Sequence, residues 1–420
     1  MLCIVENVGV TCNLRDMWKK ISNGPKAIAG YCIDELKLIA HDSGALLFFV
    51  IAMFIYPMLY ITGYGNEVVR DLPVAVVDLD HSSLSRQYSR MIDATEQLTV
   101  SCKPASLQDA KGLFFDGKVN GVILIPQNFE KDIYGSKQTN VTVYSDASFF
   151  LLYKQVYSGA NFANGTFAAG VEIKRMVAEG TALSKAMDQQ EPVKVDVYTL
   201  YNPSSGYAGF VMPGIILVVM QQTLLIGIGV LGGTIREKKK SHLLMEKAHN
   251  IAGSIRLIIG KASAYFLIYF FNALFTFIIF HHWFRLPDNG NMLLVFTLFV
   301  PYILAVSFFG LAISLLFKER VHAVLFLIFL SPVIVFISGI SWPSCALPTA
   351  LHWFATIFPS TTVVPAYLKI RIAGADFDAV RSEFMFLMVQ TFIYFLLALG
   401  AFRFANRKRN KNSEALTNVI

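Results

Sequence analysis

Six long apolar runs, arranged as one, then a gap, then five, constrain this chain more than any other feature. A hydrocarbon core about 30 Å thick needs roughly 20 predominantly apolar residues in a helix. The runs that reach this length are Ala45 to Gly63, Phe210 to Gly232, Leu257 to Phe280, Met292 to Phe317, Val321 to Ile340 and Phe384 to Phe404. About 145 residues separate the first run from the second. Lipid offers backbone polar groups no partner, so runs like these must close their own hydrogen bonds as helices. The expected fold class is therefore an α-helical polytopic membrane protein with six transmembrane helices. Only 15% of the 420 residues are charged, against about 25% in soluble domains. The net charge of +7 would suggest nucleic acid in a soluble chain. Here the basic residues cluster beside the apolar runs, so the bilayer is the expected partner and nucleic acid is not.

Lys and Arg in short flanking loops set the orientation. Arg236, Lys238, Lys239, Lys240, Lys247 and Arg256 follow the second run, and Lys318 and Arg320 sit between the fourth and fifth. Arg407, Lys408, Arg409 and Lys411 follow the sixth, whereas the loop between the third and fourth holds only Arg285. Both termini are thus expected inside and the long gap outside. Residues 1–44 show no short apolar core with a small-residue cleavage site, so no cleavable signal peptide is read there. Within them, Ala27 to His41 predicts a helix at the inner membrane face, with Ile33, Leu36, Leu38 and Ile39 as its apolar stripe and Asp34, Glu35 and Lys37 opposite. An ordinary cytoplasmic helix is the alternative.

The gap reads as an inserted α/β domain. Short apolar strands are expected at Val74 to Asp78, Leu98 to Ser101, Gly121 to Ile125, Val141 to Tyr144 and Val193 to Leu200. Helices are expected at Ser82 to Ile92, Ser106 to Phe115 and Pro126 to Tyr134, with serine caps on the first two. Asp78 and Asp80 read as further caps. A long helical stretch, Phe149 to Met187, carries expected breaks at Gly159, Gly165 and Gly170. Strands alternating with helices imply parallel pairing under helical cover. Between the fifth and sixth runs, Ser341 to Arg381 is rich in Trp and Pro and too interrupted for a seventh span, which fits an outer re-entrant or interfacial segment.

No cofactor, metal or catalytic set emerges. A P-loop needs GxxxxGK[ST] to cradle phosphate; Gly253 to Ala262 (GSIRLIIGKA) has the wrong glycine spacing and no hydroxyl after its lysine. His281 and His282 project about 100° apart on a helix and do not share a ligand face; an aqueous-boundary position is expected for them. None of the five cysteines forms a CxxC pair, and the pairing of Cys102 with Cys345 is left open. Gln221 and Gln222 fall in mid-span, where amides need partners; they are read as helix glue, with a dimer or substrate contact as the alternative.

Five motifs follow one another along the chain: PVAVVDLDHSSLSR at 73–86, GKVNGVILIPQNFE at 117–130, Asp146-Ala147-Ser148, Tyr201-Asn202-Pro203, and Ser338-Gly339 through Trp342-Pro343 to Phe358-Pro359. In this order they are similar to those of ABC-2 type transporter permeases, in the subclass with a large extracytoplasmic domain after the first membrane helix. The loop after the second run departs from the family pattern. It begins Arg236-Glu237 but continues Lys238-Lys239-Lys240-Ser241-His242, without the usual Gly-Thr.

The resemblance implies a layout and a role. A cytoplasmic segment at 1–44 leads to a first span at 45–63, an extracytoplasmic domain at 64–208, and a five-span domain at 209–405. That domain holds a coupling loop at 233–256 and the outer re-entrant region at 341–381, and a cytoplasmic tail follows at 406–420. The role is the permease subunit of an ATP-binding cassette exporter in a bacterial inner membrane. It is not itself an enzyme. A separate cytoplasmic ABC ATPase would dock on Arg236, Glu237, Lys238, Leu243, Leu244, Met245 and Glu246; a solvated basic loop is the plainer reading of the same residues. A second permease subunit would complete a homo- or heterodimer, and a periplasmic adaptor and outer-membrane channel are further partners that the resemblance suggests. The competing class is a cell-envelope scaffold or receptor of the phage-infection-protein type, with no transport.

Overall fold

The computed structural model describes residues 14–64, 68–193, 195–202, 206–238, 250–284 and 288–417. The chain divides into two compact units, one of Met1–Gly65 with Thr199–Ile420 and one of Asn66–Tyr198.

The first unit is helical. Among the described residues, six helices are long and apolar enough to cross a membrane, at Ser43–Tyr60, Val211–Glu237, Ile251–Trp283, Met292–Ser314, Arg320–Ile337 and Phe377–Arg407; they are spans 1 to 6. Span 2 is the hub, with 89% of its apolar stretch buried inside the fold, against 22% for spans 5 and 6. Met212, Val218, Met220 and Leu224 of span 2 are fully enclosed. The sixth helix runs on from Phe377 to Thr417. Before it, α7 (Thr349–Ala355) and α8 (Pro359–Arg371) occupy the Trp- and Pro-rich stretch.

Helix α1 (Leu14–His41) corrects the expected stripe. Cys32, Glu35 and Ile39 are buried, while Ile33 is half exposed. The cause is span 3, whose Lys261 Nζ lies 2.6 Å from Glu35 Oε2 and whose Tyr265 hydroxyl donates to Glu35 Oε1. A carboxylate that finds a cation and a donor can sit on the buried face, and the periodicity of apolar residues does not register it.

The second unit carries a four-stranded sheet in the order β2-β1-β3-β4. Its strands are β1 (Leu72–Asp78), β2 (Leu98–Cys102), β3 (Gly121–Ile125) and β4 (Thr142–Ser145). β1 pairs in parallel with β2 and β3, and β3 pairs antiparallel with β4. Alternation divides β1 between two cores. Val74 and Val76 pack with α2 (Ser83–Asp93) and α5 (Phe150–Ala178), whereas Ala75 and Val77 pack with Ala110 of α3 (Leu107–Phe115). α4 (Phe129–Tyr134) follows β3, and α6 (Leu183–Gln190) follows α5.

Local chemistry explains where these helices begin. Ser82 Oγ accepts from Ser85 N at 3.0 Å and Ser106 Oγ from Asp109 N at 3.1 Å, capping α2 and α3. The aspartates act otherwise than expected. Asp78 Oδ1 accepts from Asp80 N and His81 N and so holds the turn, while Asp80 Oδ2 accepts from Glu130 N at 3.1 Å at the start of α4. Burial on the inner face of α2 pushes the Tyr88 hydroxyl up to about 12.

Two further expectations fail. Gly159, Gly165 and Gly170 lie inside one unbroken helix, which ends instead before Gly180 at φ +92°. Gly159 is there for close packing, since a Cβ would come within 2.5 Å of Leu98 Cγ. The stretch expected as a last strand, Val193 to Leu200, holds no strand among its described residues, and Val193, Val195, Val197, Tyr198 and Leu200 are all at least 70% exposed. Its alternating pattern offers one apolar face, but neither sheet edge takes it up.

Candidate functional site

The carboxyl end of span 2 packs against the turn between spans 4 and 5. Gly233 lets the end of span 2 approach the start of span 5, because a Cβ there would lie 2.4 Å from Arg320 N. One turn later the Arg236 guanidinium donates to the Phe317 carbonyl. Glu237 Oε1 accepts from Arg320 N at 2.8 Å, and its Oε2 lies 3.8 Å from Arg320 Nε. Arg236 and Glu237 therefore clasp the turn between spans 4 and 5. The N–H of Lys238 donates back to the Thr234 carbonyl and ends the helix. Leu243, Leu244, Met245 and Glu246 lie outside the described residues.

A small cavity of about 40 Å³ adjoins this clasp, lined by Arg236, Lys261, Tyr265, Ser314 and Phe402 among others. Spans 2, 3, 4 and 6 thus converge there, and α1 joins through Glu35. The Glu35–Lys261 pair escapes a reading of apolar periodicity, although one signal was present. A lysine inside an apolar run costs about 2.5–3.5 kcal/mol at membrane depth on insertion scales, so Lys261 required a partner.

Higher on span 2, Gln221 and Gln222 part company. Gln221 Oε1 accepts from Ser360 N at 2.8 Å and so caps α8. Gln222 is buried and has no hydrogen-bond partner for either amide atom among the described residues. Nearby, Tyr302 donates to the Leu217 carbonyl at 2.5 Å, and Thr223 Oγ1 and the Tyr269 hydroxyl are 2.8 Å apart. The Asn272 amide donates to the Phe49 carbonyl. These bonds tie spans 3 and 4 into the hub and span 1 to span 3.

At the far end of span 3, His281 is buried and lies 3.2 Å from the Tyr367 hydroxyl, which corrects its expected aqueous position; His282 is exposed. Arg371 is 1% exposed, and it pairs with Asp288 at 2.8 Å and donates to the Phe277 carbonyl at 2.7 Å. Cys102 and Cys345 carry free thiols. Among the described residues no group of three or more His, Cys, Asp or Glu side chains is placed to hold a metal.

Residues 44–399 match the profile of the ABC-2 family transporter protein. The chain is 22% identical over 374 residues to ABC transporter G family member 20 of Dictyostelium discoideum, covering 89% of this chain but only 50% of that protein. It is 23% identical over 388 residues to the inner membrane transport permease YhhJ of Escherichia coli, covering 88% of this chain and 95% of the relative. The Shigella flexneri permease of that name matches to the same extent.

Proposed function

Because the chain belongs to the ABC-2 family of transporter proteins, a family of membrane components rather than ATPases, we propose that it is the permease subunit of an ATP-driven exporter. It sits as a multi-pass protein in a bacterial inner membrane with both termini inside. Residues 64–208 hold the extracytoplasmic α/β domain, and the coupling loop at 233–256 lies on the cytoplasmic side.

The clasp at the end of span 2 is the observation that supports this reading most directly. A permease without its own ATPase must receive force through an inner surface. Arg236 and Glu237 spend their polar groups on the turn between spans 4 and 5. They therefore act as positioning residues that hold the end of span 2 against spans 4 and 5. Leu243, Leu244 and Met245, framed by Lys238 and Glu246, supply the docking contacts, as apolar anchors among charges do for a helix seated in a partner's groove. A separate cytoplasmic ABC ATPase receives them, and two permease subunits and two ATPases complete the assembly. Substrate leaves between the permease halves toward the extracytoplasmic side, where an adaptor and outer-membrane channel continue the path.

A photo-crosslinking residue in place of Met245 tests this in native membranes. The expected product is an adduct with a P-loop ATPase, identified by mass spectrometry. Adducts with lipid alone would instead favour the scaffold class.

A further inference from the structure

The second unit contains a cavity of about 790 Å³, within the roughly 300–1,000 Å³ of small-molecule sites. It lies between α2, α4, the chain after α4 and the carboxyl half of α5. We propose that this cavity is a binding site for a small amphiphile with an acidic headgroup.

The local fold explains why it is open. α4 ends at Tyr134 after six residues, whereas α5 continues to Ala178. Val171 and Ala178 extend the apolar face begun by Phe167 at helical spacing, and α4 is too short to cover them. The floor is preformed. Phe129 stacks on Phe167 with ring centroids 5.6 Å apart, and Tyr88 meets the two rings at 5.7 and 5.0 Å. Leu84, Met91 and Ile133 complete an apolar surface suited to an aliphatic or fused-ring body.

The rim supplies the charge. Lys174 and Arg175 come from α5 and Lys137 from the chain after α4. All three are exposed, and none has an ion pair among the described residues. Glu172 and Glu179 are the only carboxylates in the lining, so the mouth carries one net positive charge. A carboxylate, sulfonate or sulfate at the mouth would meet cations from two elements while its apolar body covers the floor, which is the division of labour found in such sites.

The site goes beyond the transport reading, because binding needs no ATPase. The test uses the full chain in lipid nanodiscs and the fluorescent fatty acid dansylaminoundecanoate, with its methyl ester as the uncharged control and empty discs as background. Wild type is expected to bind one acid per chain above background and to bind the ester about tenfold more weakly, since one charge-assisted contact is lost. Gly170 lines the cavity, and a Cβ there meets no atom within 4 Å. Gly170→Trp should therefore fold, fill the cavity and weaken both ligands at least about tenfold. The double variant K174E/R175E, at exposed positions, should weaken the acid by a similar factor and leave the ester unchanged. No saturable binding above empty discs, or binding unaltered by Gly170→Trp, overturns the site. Equal binding of acid and ester, with no effect of charge reversal, overturns the acidic class of ligand.

Discussion

Span 2 and span 5 are both apolar enough to cross a membrane, yet the fold treats them in opposite ways. The apolar stretch of span 2 is 89% buried, and its neighbours are other helices of the same chain. That of span 5 is 22% buried, and Leu325, Phe326 and Phe329 point outward at 52%, 53% and 80% exposure. Lipid tails are as apolar as leucine, so nothing drives span 5 inward. What draws span 2 to the centre is packing and hydrogen bonding, through Thr223, Gln221, the Leu217 carbonyl and the close approach at Gly233. The polar groups of the helical unit therefore mark its mechanical frame, and its outward apolar surface is left for lipid.

The largest effect that would break this contrast lies at the ion pair beside the hub. Lys261→Met strands Glu35 without a cation and should cost about 3–5 kcal/mol, read as a large fall in melting temperature in detergent. The double variant E35L/K261M should recover most of the loss, because a buried pair replaced by apolar side chains is often close to neutral. If the single variant melts like wild type, Glu35 and Lys261 do not hold α1 to span 3.

The contrast between the spans themselves comes next. Leu224→Ala in span 2 removes a fully buried side chain and should cost about 2–4 kcal/mol. Phe329→Ala in span 5 should stay within about 0.5 kcal/mol. Equal melting shifts would show that span 2 is not the hub.

The smallest effect concerns the second unit. Asp146 accepts from Ser148 N at 2.8 Å, and that bond holds its carboxyl below the usual range. A depressed carboxylate keeps its bond at neutral pH and loses it only as pH falls through the lowered value. Asp146→Ala should therefore speed amide exchange at Ser148 at pH 7, and wild type should approach the variant only in acid. Identical exchange at pH 7 would mean that the turn does not need the carboxylate.

The two units were legible in the sequence to different degrees, for a physical reason. Caps, alternation and span length are local, so Ser82, Ser106, β1 and the six membrane helices can be read from neighbouring residues. The Glu35–Lys261 and Arg371–Asp288 pairs join residues far apart in the chain, and no local period announces them. Val193 to Leu200 failed in the opposite sense, because a strand pattern is fulfilled only when a sheet edge accepts it. At the candidate site, Arg236 and Glu237 were legible as members of a charged loop. Their partners, Phe317 O and Arg320, required the packing of span 2 against the turn between spans 4 and 5.

The proposed function has a separate ATPase drive this chain through the loop that leaves span 2. Its most direct test is affinity purification of the tagged full chain from its native membrane in mild detergent, beside a variant with Leu243, Leu244 and Met245 all changed to Ala. A P-loop ATPase is expected to co-purify in stoichiometric amount with wild type and to be lost from the variant, while both preparations melt alike. An ATPase that is absent from both, or retained equally by both, would contradict it.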